Sequence, residues 1–216
     1  MAERLKRSLL YTYGIADLFF GLMIAMEIYL FPAFLTDYAN FSLAVVGQIL
    51  LFTSIIDVFC TLLGGVILQK VTLRFGGKYR SWLLIGPVIA APLFVLEFAK
   101  IGNDWMAAII IIFGFVTSHL LFNVVYAAAG SMVGRLSRLP DETTIMSASR
   151  AQGLAASGII FSVTGLPMIL YFGKYVGEVT GHTAAMVVYG VLTILGYWYL
   201  FGITSGRDPY DEVETD

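Results

Sequence analysis

The chain alternates long apolar stretches with short polar breaks. Six stretches stand out, at about 8–35, 42–68, 80–99, 104–133, 145–172 and 182–204. Each reaches or exceeds the roughly 20 residues that a helix needs to cross the hydrocarbon core. The pattern predicts an all-α membrane protein with six transmembrane helices. The breaks alternate in character. Those at 37–41, 101–103 and 173–181 are short, whereas the intervening ones are longer and carry most of the charge.

Polar residues inside four of the stretches recur at helical spacing, so four of the six predicted helices have a wet face. In the second, Thr53, Asp57, Thr61 and Gly64 fall at i, i+4, i+8 and i+11. In the fourth, His119, Asn123, Tyr126 and Gly130 follow i, i+4, i+7 and i+11. Tyr13, Asp17 and Gly21 share a face of the first; Arg150, Gly153, Ser157 and Thr164 share one of the fifth. The third and sixth have almost no ionisable residue in their middles. These patterns predict that helices one, two, four and five line a cavity and that three and six face lipid. Pro87, Pro92 and Pro167 predict kinks, which membrane helices tolerate.

Composition agrees with a membrane assignment. The chain is 58% apolar and only 13% charged, whereas soluble domains carry about a quarter charged residues. The net charge is −2, and no basic face points to nucleic acid. Arg4, Lys6, Arg7, Lys70, Arg74, Lys78, Arg80, Arg135, Arg138, Arg150 and Arg207 fall on one side of the predicted membrane, against Lys100 and Lys174 on the other. The positive-inside rule then puts both termini in the cytoplasm of a cell with this protein in its inner membrane. Trp82, Trp105 and Trp198 lie near stretch ends, as interfacial aromatics do. The predicted organisation is a transmembrane bundle over 1–206 and an acidic cytoplasmic tail over 207–216. The first stretch is too long for a signal peptide and lacks a small-residue cleavage site. Cys60 stands alone in an apolar helix and predicts no disulfide. No nucleophile–base pair or metal-ligand spacing suggests an enzyme; His119 and His182 lie on different helices. An acid at the depth of Asp57 costs about 2.5–3.5 kcal/mol on insertion, so a functional role is expected of it.

Several segments resemble one family. They are "YGIADL" (Tyr13–Leu18), "TDYANFSLAVVGQILL" (Thr36–Leu51), "IDVFCTLLGGVI" (Ile56–Ile67), "RFGGKYRSWLLIGP" (Arg74–Pro87), "NVVYAAAG" (Asn123–Gly130) and "SASRAQG" (Ser147–Gly153). Together they are similar to the N-terminal half of a major facilitator superfamily transporter of the glycoside–pentoside–hexuronide:cation symporter type, of which melibiose permease is the type member. The resemblance implies one half of a twelve-helix fold whose two halves are related by an axis along the membrane normal. It implies transport of a small polar solute such as a sugar by cation-coupled alternating access.

The resemblance also assigns roles. Asp57 matches the family's cation-coordinating or protonated acid, with Thr53 and Thr61 beside it. Thr61 replaces a second Asp of the sodium-coupled members, which favours a proton as coupling ion and leaves sodium at Asp57 as the alternative. This makes Asp57 a lone carboxylate in each chain. Asp17, Asn123, Tyr126 and Arg150 are expected at the substrate, with His119, by its spacing one turn from Asn123 on the same face. Asp17 has an ion pair with a basic loop residue near the cytoplasmic end as its alternative role, His119 a proton relay or a satisfied buried imidazole, and Arg150 a cytoplasmic gate pair. Gly21 stands where the family has a sugar-binding Asp, and Ala127 where some members have Trp. Lys70, Arg74, Lys78 and Arg80 resemble the superfamily's gating loop, with Gln69 in place of its usual Asp. Glu27 is expected at an outer gate or exposed in the outer leaflet.

A single half would leave polar faces open to lipid, which is costly. The expected solution is a homodimer with its two-fold axis along the membrane normal. A different partner half, or membership of a longer chain, are the alternatives. No cofactor beyond the coupling ion is implied.

Overall fold

The computed structural model describes residues 4–73, 76–137 and 139–208. Among them, six stretches of helix are long and apolar enough to cross a membrane. The first is built from α1 (Arg7–Thr12), α2 (Ile15–Ala33) and a π turn at Phe34–Tyr38. The others are α3 (Leu43–Lys70), α4 (Arg80–Val95) with a 3₁₀ turn at Leu96–Phe98, α5 (Asp104–Leu136), α6 (Pro140–Val176) and α7 (Glu178–Ile203).

Local chemistry sets the boundaries. The Ser42 and Asn103 side chains accept the Val45 and Met106 N–H groups at the starts of α3 and α5, relieving donors that lack an intrahelical partner. Pro140 opens α6, where its missing N–H costs nothing. The π turn follows Pro32, which disturbs the regular ladder. α5 and α6 run for 33 and 37 residues. At 1.5 Å per residue they are about 50–55 Å long, well beyond a hydrocarbon core of about 30 Å.

The helices pack side by side in the order α3, α5, α4, α7, α2, α6, with α7 also on α6. α3 and α6 end the series, and among the described residues no extensive contact joins them. α2 and α5 meet within the arc through rings, Phe20 lying 4.9 Å from Phe122 and 6.0 Å from Tyr126. The core holds Met23, Met26, Phe94, Ile111, Met132 and Tyr197.

The third stretch was expected to face lipid. Instead α4 is wedged between α5 and α7 and has the most buried apolar window of the six. α3 and α6 have the least buried apolar windows of the six, although α4, α5 and α7 expose apolar side chains too. α3 presents Leu51, Phe52, Ile55, Val58, Phe59 and Leu62, and α6 presents Ile159, Val163, Leu166, Leu170, Tyr171 and Tyr175.

The α2–α6 crossing is close enough to exclude side chains. A Cβ at Gly14 would lie 2.0 Å from the Ser149 carbonyl oxygen, and one at Gly153 would lie 2.2 Å from that of Gly14. Small residues at such crossings let backbones meet. Ser149 also mends the break between α1 and α2. Its Oγ accepts the Gly14 N–H at 3.0 Å and donates to the Tyr11 carbonyl at 2.9 Å.

Candidate functional site in the open side of the bundle

A cavity of about 390 Å³ lies between α2, α3 and α5, with Phe94 of α4 and Leu154 of α6 on its wall. Sites for small ligands run from roughly 300 to 1,000 Å³. Its polar groups are Glu27, Asp57, Thr61, His119, Asn123 and Tyr126.

His119 is the centre of the site. Its Nδ1 lies 2.8 Å from Asp57 Oδ1. Nδ1 is thus the ring nitrogen engaged with Asp57. On the other edge of the ring, Nε2 lies 3.2 Å from Glu27 Oε2 and 3.8 Å from Glu97 Oε1. The 3.2 Å approach lacks hydrogen-bond alignment, and Nε2 is buried with no hydrogen-bond partner. The ring is stacked on Phe115 at 3.8 Å, with Phe94 on a parallel plane at 5.5 Å, so its orientation is set by packing.

The acids differ in access. The Asp57 side chain is 45% exposed and Glu27 16% exposed, whereas Glu97 is fully buried. Glu97 Oε1 accepts from Ser118 Oγ at 2.9 Å, while its Oε2 is buried with no partner. Glu97 was missed by sequence reasoning. It sits in the 3₁₀ turn ending the third stretch, where spacing reads as a boundary. The signal available was an acid close to the apolar end of a stretch otherwise empty of charge. Asp57 was expected to be a lone carboxylate; instead three carboxylates from three helices converge on one imidazole. Glu27, expected at an outer gate, is one of them.

A second polar centre lies between α2 and α6. Arg150 grips Asp17 with two nitrogens, Nε at 2.9 Å from Oδ2 and Nη2 at 2.9 Å from Oδ1. The guanidinium covers the Tyr126 ring at 4.4 Å, so Tyr126 joins this pair to the cavity. Bidentate Arg–carboxylate pairs are strong and orientation-specific. Neither Asp17 nor Arg150 lines the cavity itself.

The remaining expected residues divide. Thr61 lines the cavity, its hydroxyl donating to the Asp57 carbonyl at 3.0 Å. Thr53 is buried and donates to Ile49 O at 2.9 Å within its own helix. Asn123 lines the cavity and donates to His119 O at 2.9 Å.

In the loop, Lys70 is exposed at the end of α3 and Lys78 packs near the Tyr79 ring. Arg80 is buried and bound within its own bundle, donating to Phe201 O at 2.7 Å and Gly76 O at 2.6 Å and stacking on the Phe201 ring. Arg74 and the tail from 209 onward lie outside the described residues.

Among the described residues the chain is six spanning helices with no strand and with a polar cavity between α2, α3 and α5, a helical membrane protein. The sequence model described as MFS/sugar transport protein matches residues 11–216. The chain belongs to that family of the major facilitator superfamily, a family of transporters rather than enzymes.

It is 26% identical over 203 residues to the putative glycoside/cation symporter YagG of Escherichia coli, a match covering 92% of this chain and 43% of that protein. It is 26% identical over 162 residues to the glucuronide carrier protein homolog of Escherichia coli, covering 73% of this chain and 34% of that one. It is 22% identical over 201 residues to the isoprimeverose transporter of Lactiplantibacillus pentosus, covering 91% of this chain and 41% of that one. The chain thus spans less than half the length of these relatives.

Proposed function

We propose that two copies of this chain assemble about a two-fold axis along the membrane normal into a secondary active transporter. It carries a small polar solute such as a glycoside by cation-coupled symport, with both termini in the cytoplasm of a cell whose inner membrane holds it. The six-helix bundle over 1–206 is the transporting unit, and 207–216 follows it on the cytoplasmic side, with Asp208 packed against the start of α4. The observation that carries this reading is the position of the polar cavity. It opens on the side flanked by the exposed apolar faces of α3 and α6, where a second half would cover it. The relatives' names, a glycoside/cation symporter and an isoprimeverose transporter, support the solute class.

In this reading Asp57 holds the coupling cation, a proton or sodium, with Thr61 beside it. Asn123 and Tyr126 offer an amide and a phenol to solute hydroxyls, and Arg150 and Asp17 order Tyr126. Lys70, Arg74, Lys78 and Arg80 belong to the cytoplasmic gate. The two copies rock against each other around the cavity.

Uptake into liposomes containing this chain alone, with a panel of glycosides under an inward proton gradient, an inward sodium gradient or neither, tests the reading. One gradient drives accumulation, and Asp57→Asn keeps exchange while losing accumulation. Accumulation unchanged in Asp57→Asn contradicts the coupling role. The match to less than half of each relative favours one second reading, in which a different polypeptide segment supplies the covering half. Exchange that begins only when such a segment is co-reconstituted selects it.

A further inference from the structure

Glu97 and the Nε2 edge of His119 have no part in solute contact or in the coupling role given to Asp57. They form a defined arrangement of their own. His119 Nε2, a Glu27 oxygen and a Glu97 oxygen all lie within 4.8 Å of one another. With Nδ1 engaged by Asp57, Nε2 is the ring nitrogen left to face a ligand. It faces two carboxylates, at 3.2 and 3.8 Å. Carboxylates brought this close to one another call for a positive charge between them, which a bound cation supplies.

Two of the atoms concerned, His119 Nε2 and Glu97 Oε2, are buried without a hydrogen-bond partner, and Glu97 is wholly shielded from solvent. Such groups are seldom left unpaired in folded proteins.

We propose that His119, Glu27 and Glu97 bind a divalent transition-metal ion of the zinc class, with Asp57 as the outer carboxylate that orients the imidazole. The geometry fits. Ligand bonds of about 2.0–2.2 Å in tetrahedral array put donor atoms roughly 3.3–3.6 Å apart, close to the 3.2 and 3.8 Å from His119 Nε2 to the two carboxylates, which turn to close the set. The charge fits as well. The two ligand carboxylates offset a doubly charged ion, in a medium where uncompensated charge is costly.

A nitrogen donor selects zinc, cobalt or nickel over sodium or magnesium, which prefer oxygen alone. The carboxylate on the far ring nitrogen is the usual second partner of a metal-bound histidine. Glu27 borders the cavity, which gives the ion its way in.

The test is direct binding to the intact chain in detergent and needs no transport, so its result is independent of the symport reading. Chelator-stripped protein is titrated with Co²⁺, whose visible absorption reports bound geometry, and then with Zn²⁺ as competitor. The expected result is one Co²⁺ per chain with an intense tetrahedral spectrum, displaced by Zn²⁺ and unaffected by excess Mg²⁺. Glu97→Gln and His119→Gln lose the spectrum. Asp57→Asn weakens binding by roughly 10–100-fold, and His182→Gln leaves it unchanged. X-ray absorption on the zinc-loaded native chain needs no variant to fold, and one imidazole with carboxylate oxygens about the ion is expected. Absence of the Co²⁺ spectrum, a spectrum retained in Glu97→Gln and His119→Gln, or a zinc shell without imidazole overturns the proposal.

Discussion

Asp57 of α3 and His119 of α5 meet at 2.8 Å across the cavity wall, and the far edge of the same imidazole faces Glu97, in the 3₁₀ turn after α4, at 3.8 Å. One ring thereby ties three helices through their polar groups. Removing it leaves Glu97 buried beside Glu27 with no group to offset their charge. His119→Ala is expected to destabilise the bundle by about 3–5 kcal/mol, the cost of a buried ion that has lost its partner. Glu97→Gln added to His119→Ala recovers part of that loss. Thermal unfolding of the single and double variants in detergent reads the coupling. Strictly additive effects would show that the two side chains do not interact.

Arg150 and Asp17 present the same physics with an isolated pair. The Asp17 side chain is 1% exposed and Arg150 13% exposed, so water can replace neither. Either Asp17→Asn or Arg150→Met alone is expected to cost about 3–5 kcal/mol, while the double variant costs much less because no unpaired charge remains. Unfolding curves of the three variants check this. The double variant also loses the cation over Tyr126, so its solute exchange is expected to weaken even where its stability returns.

The crossing at Gly14 and Gly153 gives a steric prediction. Gly14→Ala and Gly153→Ala each drive a methyl into backbone, and are expected to cost at least the 1–3 kcal/mol or so typical of overpacking. Gly47, with open space around it, is the contrast. Gly47→Ala is expected to be neutral or to stabilise α3 by up to about 1 kcal/mol. The fraction of each variant that elutes as a monodisperse peak after heating ranks them.

Asp208, beyond α7, caps the start of α4. Its Oδ2 accepts the Tyr79 N–H at 2.6 Å and the Arg80 N–H at 2.8 Å. Asp208→Ala removes the one acceptor that serves both N–H groups and is expected to cost about 0.5–2 kcal/mol, as loss of a helix cap does. Hydrogen exchange should speed up at the first turn of α4 and leave α5 unchanged.

The helices and their wet faces were legible because periodicity is a local property. The Thr53–Asp57–Thr61 spacing needs no tertiary knowledge to fall on one side of α3. What faces that side does depend on tertiary packing. His119 was readable as a polar position one turn from Asn123, but nothing in its own helix specifies Glu27 and Glu97 as its neighbours. Glu97 was hidden because an acid at the end of an apolar stretch looks the same whether it is solvated or folded inward.

The placing of the third stretch in lipid failed for a related reason. Lack of polar residues means only that a helix avoids water, and α4 does so inside the bundle. From sequence the alternative partner of Asp17 was a basic loop residue; the α2–α6 crossing instead brings Arg150 of α6 to it.

The central claim is that the open side of this bundle is closed by a second copy. Its most direct test is the native mass of the purified protein in a lipid nanodisc, compared with Val163→Arg on the exposed face of α6. The expected particle holds two copies of the 23.7 kDa chain, and Val163→Arg reduces it to one. A native particle with a single copy, monodisperse and unchanged by Val163→Arg, would contradict the claim.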